Sequence, residues 1–322
     1  MWSVNGDKRL IMIWKRKNIG LALGAGGARG LAHIGVLRVF EDESIPVDII
    51  VGSSIAALVG GAFASGLKIY ELEKRIGEFL ESSIYQDSAL KSIRDFEADK
   101  KLSFAQKIQA FFKNRLLLAQ ALFRPGILDN EDFQAMIDFF LPDIAIQNTI
   151  IPFRAVTTDL VSGEPIVISK GSLREAVMAS CLVPGAISPK RTNGMLLSDG
   201  GITYMVPTTV ARAEGAKFIV AVSVNNQIHS AEKFSSAMDI YVRATNIGLF
   251  YIEQRLLQEA DVVILPKVGN LHWTDFDRAR NLIFEGEKAA REKLDDIRKG
   301  LFFLKRWLPL GIPRITGKKT AN

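Results

Sequence analysis

The 322-residue chain has a single cysteine, Cys181, so no intrachain disulfide framework can hold it together. Its three histidines, at positions 33, 229 and 272, are too few and too scattered to form a structural zinc site. Together these scarcities point to a reducing, cytoplasmic setting and to a fold that carries no metal. Long uncharged runs are scarce as well. One of 19 residues, Ile49 to Leu67, approaches the ~20 that span a bilayer, but it is rich in Gly, Ala and Ser and is broken by Gly52-Ser53-Ser54. A buried strand, a turn and a tightly packed helix fit that composition better. Near the N-terminus, Lys8, Arg9, Lys15, Arg16 and Lys17 flank LIMIW, an apolar run too short for a secretory h-region, and no signal peptide is expected.

Acidic residues are missing from the last 26 positions. There Arg298, Lys299, Lys305, Arg306, Arg314, Lys318 and Lys319 stand without one Asp or Glu, while the remaining chain has 34 basic and 35 acidic residues. The formal charge of +6 therefore belongs to the tail, which argues against a nucleic-acid-binding body and for a local anionic contact. On a helix, Ile297, Leu301, Leu304 and Leu308 share one face, with Phe302, Phe303 and Trp307 at its margins and basic residues around the rest. That stripe fits an interfacial helix on an anionic membrane surface; a helix packed on the domain is the competing reading. Nothing in the sequence specifies an oligomeric state.

With 48% hydrophobic residues the chain can bury a large core. Ile19 to Leu23 reads as a strand, Gly24 to Gly30 as a glycine-rich turn and Leu31 to Glu43 as a helix; Asp48 to Val51 and Ile55 to Gly66 repeat the order. Two such units with apolar strands predict a mainly parallel, covered sheet. From 68 to 141 the texture turns charged and helical, as for a helical cap inserted over the sheet. The acidic cluster Asp129 to Asp132 lies there, and its spacing suits a helix start better than a calcium loop. Strands return at Phe153 to Thr158, Pro165 to Ser169, Met195 to Ser198, Phe218 to Val224 and Val262 to Leu265. Helices are expected at Lys170 to Leu182, Ala231 to Glu259 and Asp275 to Lys299.

Three separated motifs carry chemistry. GSSIA, Gly52 to Ala56, puts Ser54 at the apex of a strand-to-helix turn, where a serine is pushed out of the sheet edge and negative charge is favoured by the helix N-terminus. An ordinary capping serine is the plain alternative. GAGGARG, Gly24 to Gly30, turns its amides toward an anion. Its G-x-G-x-x-x-G spacing fits a dinucleotide fingerprint poorly and leaves an oxyanion hole built on Gly26, Gly27 or Ala28 as the other use. SDGG, Ser198 to Gly201, places Asp199 at a strand end before Gly200 and Gly201, which let another backbone or a substrate come close. A nucleophilic serine needs a base, and none of the three histidines is well placed for it, so single replacement of any histidine is expected to leave activity near wild type. A carboxylate remains.

The blocks GAGGARGLAHIGVL, GSSIA, TTDLVSGEPIVISKGSLREAVMASCLVPGAISP and LLSDGG, in this order, resemble the patatin-like phospholipases, especially the compact bacterial members, from about Asn18 to Val224. The resemblance implies a three-layer α/β/α fold and hydrolysis of acyl esters of phospholipid, lysophospholipid or neutral lipid by a Ser-Asp dyad, without metal or cofactor. It makes Ser54 the nucleophile, Asp199 the base and Gly26-Gly27-Ala28-Arg29 the oxyanion hole. Arg29 is placed to supply the positive charge that calcium gives in other lipid hydrolases. Two positions depart from the family pattern. Ala56 stands where the elbow usually ends in glycine, and Met205 where an asparagine often precedes the proline, here Pro207. The first favours a rival reading, a catalytically weak lipid-binding or regulatory protein. The expected organisation is a basic arm (1–17), an acyl hydrolase domain (18–296) and a basic amphipathic tail (297–322), with the protein peripheral to the inner membrane face.

Overall fold

A computed structural model describes residues 19–88, 91, 130–225, 228, 230, 234, 236–269, 271 and 274–307. The N-terminal arm, the expected helix from Leu102 to Phe123, and His229 and His272 lie outside the described residues.

At the centre is β1 (Ile19–Leu23), parallel to β2 (Ile49–Ser53) on one side and to β7 (Phe218–Val222) on the other. All three strands are buried along their whole length, as apolar runs covered on both faces must be. Their side chains alternate between two cores. Ile19, Leu21, Leu23, Ile50, Val220 and Val222 face one, while Ala22, Ile49, Val51, Ile219 and Ala221 face the other. Helices cover both sides, so the architecture is the expected three-layer α/β/α. The first core takes in α1 (Ala32–Asp42), α2 (Ile55–Ala64), α3 (Ile69–Glu81), α5 (Asn130–Phe140), α6 (Leu173–Ser180) and α9 (Ala279–Glu292), with the short α4 (Ser83–Gln86) beside α3. The second is closed by α7 (Thr208–Ala213) and the last turn of α8 (Ala237–Leu257).

With β3 (Phe153–Asp159), β4 (Pro165–Ile168), β5 (Lys190–Thr192), β6 (Met195–Asp199) and β8 (Val262–Ile264), the sheet runs β5-β6-β3-β2-β1-β7-β8, with β4 also on β3. Its middle is parallel, as expected, but β4 (Pro165–Ile168), β5 (Lys190–Thr192) and β6 (Met195–Asp199) form an antiparallel flank. The register on β3 (Phe153–Asp159) positions the site. β4 pairs with Ala155 to Thr158 along one edge, β2 pairs with Phe153 to Val156, and β6 pairs with Thr157 to Asp159. Ala155 and Val156 have both β2 and β4 as partners, and Thr157 and Thr158 have both β4 and β6. A strand has two edges, so β2 and β6 must lie end to end along the same one. Ser53 is opposite Val156, and Asp199 is opposite the next residue, Thr157. The chain leaves the edge at Ser54 where Asp199 enters it.

Two expectations change at the C-terminal end. The helix expected from Asp275 to Lys299 is two helices, α9 and α10 (Leu294–Trp307), separated at Lys293. The stripe assigned to the membrane begins by facing the protein: Ile297 is fully buried in the core, Leu301 is packed against it, and Gly300 meets the ring of Phe218. Arg298 pairs with Glu43 at 2.6 Å. The folded domain therefore continues past 296, because an apolar stripe beside an uncovered apolar face of the core is buried there first. Of the tail residues further on, Phe302 is exposed, and the side chains after it lie outside the described residues.

Candidate active site

Ser54 has φ +59° and ψ −135°, a backbone region that residues with a side chain rarely occupy. Several contacts hold it there. Its N–H donates to Ser180 Oγ at 2.9 Å, and that hydroxyl donates to the Val156 carbonyl at 2.5 Å, so α6 ties the turn back to β3. Gly52 lets the strand fold onto the helix it feeds, since a Cβ there would lie 2.6 Å from the Ala56 carbonyl oxygen. Ala56 is fully buried on the first turn of α2 and has no left-handed φ, so nothing at this position demands glycine.

Asp199 ends β6 with its N–H on the Leu182 carbonyl at 2.9 Å, and Thr158 Oγ1 donates to its carbonyl at 3.0 Å. Gly200 follows because a Cβ there would stand 2.2 Å from the Val156 carbonyl oxygen. The carboxylate is thereby turned to the serine: Oδ2 accepts from Ser54 Oγ at 2.6 Å and Oδ1 from the Gly201 N–H at 2.7 Å. Both side chains are 5% exposed. Burial raises the Asp199 pKa from 3.8 to about 6, against the hydrogen bonds from Ser54 and Gly201, which lower it. The pair is thus a hydroxyl donating to a desolvated carboxylate of raised basicity.

The glycine turn adjoins this pair at both ends. A Cβ on Gly201 would lie 3.0 Å from Ala25 Cβ, and one on Gly30 would lie 2.2 Å from Ile55. Gly27 takes φ +55° and opens a 3-10 turn, Gly27–Leu31, whose first amides have no acceptor within the turn. Arg29 donates from Nε to the Gly26 carbonyl at 3.2 Å. Burial lowers its pKa, partly offset by the charge of Glu253, itself buried on α8 and hydrogen-bonded to Ser223.

His33 is no partner of Ser54. It is fully buried, its Nε2 lies 2.7 Å from the Gly24 carbonyl, and burial lowers its pKa to about 4, which keeps the ring neutral. Asp132 and Glu131 fall in the first turn of α5, as a helix start requires. Among the described residues no three His, Cys, Asp or Glu side chains form a cluster that would hold a metal ion. None of the described helices is long and apolar enough to cross a membrane, and Ile49 to Leu67 contains β2, the turn and α2.

Beside the turn lies a small, wholly apolar cleft, part of it open to solvent. Leu31 and Ile55, neighbours of the glycine turn and of Ser54, begin its wall. Leu58 of α2, Phe79 of α3, and Met136 and Phe140 of α5 continue it. The helices expected to cap the sheet thus form one wall of an apolar space next to the serine.

Ser54, Asp199, Gly26, Gly27, Ala28, Arg29, Gly52, Ala56, Gly200 and Gly201 all lie in this region. Ser180 and Asn225 were not singled out, although Ser180 stands in one of the quoted blocks. The Asn225 Nδ2 donates to the Ala25 carbonyl at 2.6 Å. Neither residue has a local pattern that would have identified it.

The family model for patatin-like phospholipase matches residues 21–212, which include Ser54 and Asp199. An uncharacterized NTE family protein of Mycobacterium tuberculosis is 32% identical over 209 residues, covering 64% of this chain and 49% of the relative. Human patatin-like phospholipase domain-containing protein 6 is 29% identical over 266 residues, or 82% of this chain and 17% of the relative. The chain thus spans about half the length of the mycobacterial relative and a smaller part of the human one. On the match over most of the sheet and all three motifs, the chain belongs to the patatin-like phospholipase family.

Proposed function

We propose that the protein is a serine acyl hydrolase that cleaves acyl esters of phospholipid, lysophospholipid or neutral lipid through Ser54 and Asp199. The observation that carries this reading is the 2.6 Å hydrogen bond from a strained, buried serine to a carboxylate whose pKa is raised to about 6. In the first step Ser54 Oγ attacks the acyl carbonyl and its proton passes to Asp199 Oδ2. The negative oxygen of the tetrahedral intermediate is held by amides of the Gly26-Gly27-Ala28 turn, with the Arg29 charge close behind them. Collapse breaks the ester bond, and the alcohol leaves with the proton from Asp199. Water then attacks the acyl-enzyme and gives a proton to Asp199. The second tetrahedral intermediate expels Ser54 Oγ, which takes that proton back as the fatty acid leaves.

The apolar cleft between α2, α3 and α5 suits the acyl chain, since it offers no polar group and begins at Ile55 beside the serine. Peripheral attachment to an anionic membrane surface through the basic residues after Leu301 is part of the same proposal, at about 1 kcal/mol per basic residue near the surface. The test is hydrolysis of a panel of lipid esters by the purified protein. Wild type should release fatty acid, and Ser54→Ala and Asp199→Asn, both folded, should not; equal turnover by Ser54→Ala would dismiss the reading.

A further inference from the structure

Three successive carbonyls of the glycine turn are each held by a side chain from a different place in the fold. The Gly24 oxygen lies 2.7 Å from His33 Nε2 on α1, the Ala25 oxygen 2.6 Å from Asn225 Nδ2 after β7, and the Gly26 oxygen 3.2 Å from Arg29 Nε within the turn. A carbonyl accepts only, so the neutral His33 must have its proton on Nε2; its Nδ1 has no partner among the described residues.

A trans peptide is planar, and its N–H points opposite to its C=O. Holding the Gly24 carbonyl fixes the Ala25 N–H, which donates to the Met205 carbonyl at 2.8 Å. Holding the next two carbonyls fixes the N–H groups of Gly26 and Gly27 on the sides turned away from Asn225 and from Arg29 Nε. In a chain segment with glycine at 24, 26 and 27, nothing intrinsic would fix those directions. Resting on the hydrolase reading above, we infer that His33, Asn225 and Arg29 are positioning residues that aim the Gly26 and Gly27 amides at the oxyanion formed on the substrate carbonyl when Ser54 attacks it. His33 therefore matters to the reaction without serving as its base, which changes the expectation that its replacement leaves activity near wild type.

The test compares an oxo ester with the matching thiono ester, whose C=S sulfur is a poor hydrogen-bond acceptor and so reports on the amides. Asn225→Ala removes the donor, and Asn225→Asp keeps the shape while replacing the donor with an acceptor, so a folding defect of one does not decide the result. On the oxo ester, kcat should fall ~10- to 100-fold with KM within about two-fold, the scale on which small misplacements act. The rate on the thiono ester should fall much less, so the oxo-to-thiono ratio shrinks. His33→Gln, which retains an N–H donor, should lose less than His33→Ala. An equal fall on both esters, or no change on either, would overturn the inference. Oxo-ester hydrolysis that survives Ser54→Ala would instead remove the hydrolase reading, and the inference with it.

Discussion

Ser180 accepts the backbone N–H of Ser54 through its side-chain oxygen at 2.9 Å, across 126 residues of sequence. This bond holds the serine in its left-handed conformation and also occupies that N–H, which fits the proposal that amides of the glycine turn meet the oxyanion. Ser180→Ala would leave the buried Ser54 N–H without a partner. A stability loss of ~1 to 3 kcal/mol is expected by urea denaturation, together with a lower kcat. A variant as stable and as active as wild type would show that the bond contributes nothing.

The raised pKa of Asp199 links activity to stability. An unfolded chain ionises this carboxyl near 3.8, while the native one keeps its proton up to about 6. The contribution of this carboxyl to native stability is therefore highest below both values, falls as pH rises between them, and stays lower above about 6, by ~3 kcal/mol for a two-unit difference. The rate runs the other way: kcat/KM should rise with unit slope to about pH 6 and then level off. Asp199→Asn should lose at least ~100-fold in rate. At pH 8 it should be more stable than wild type by ~1 to 3 kcal/mol, since the buried charge is gone. Thermal unfolding from pH 4 to 8 checks this, and a variant less stable at every pH would contradict the burial account.

Met136 and Phe140 of α5 line the same apolar cleft as Ile55. Filling the cleft with Met136→Trp should shift preference toward shorter acyl chains while sparing a short-chain ester. Rates over a series of p-nitrophenyl esters measure it, and an unchanged profile would place the acyl chain elsewhere.

Ile297 separates a core helix from a membrane helix at one position. Fully buried in this fold, it should lose ~2 to 5 kcal/mol on Ile297→Ala, and binding to anionic vesicles should stay near wild type at temperatures where the variant is folded. A negligible stability loss with weakened vesicle binding would return it to the lipid-facing stripe.

The strands were legible because both faces of the sheet are covered, so IGLAL and FIVAV stand out as apolar runs. Ser54 and Asp199 were legible because a strand-to-helix turn and a strand-end Asp-Gly-Gly are local patterns. The edge strand Lys190–Thr192, with sequence KRT, offers no apolar alternation and was missed. The end-to-end placement of β2 and β6 on β3 lies in the register, which no short motif records. Asn225 grips a carbonyl 200 residues away and has no neighbouring signature. The tail misled for a general reason: a helical stripe shows that one face is apolar, not whether protein or lipid covers it.

The most direct test of the Ser54 and Asp199 assignment is a mass spectrum of the protein quenched during turnover of a p-nitrophenyl acyl ester. An acyl adduct on the peptide containing Ser54, absent from Ser54→Ala and formed at least ~100-fold more slowly by Asp199→Asn, is expected. Ester hydrolysis with no adduct on Ser54, undiminished in Ser54→Ala, would contradict it.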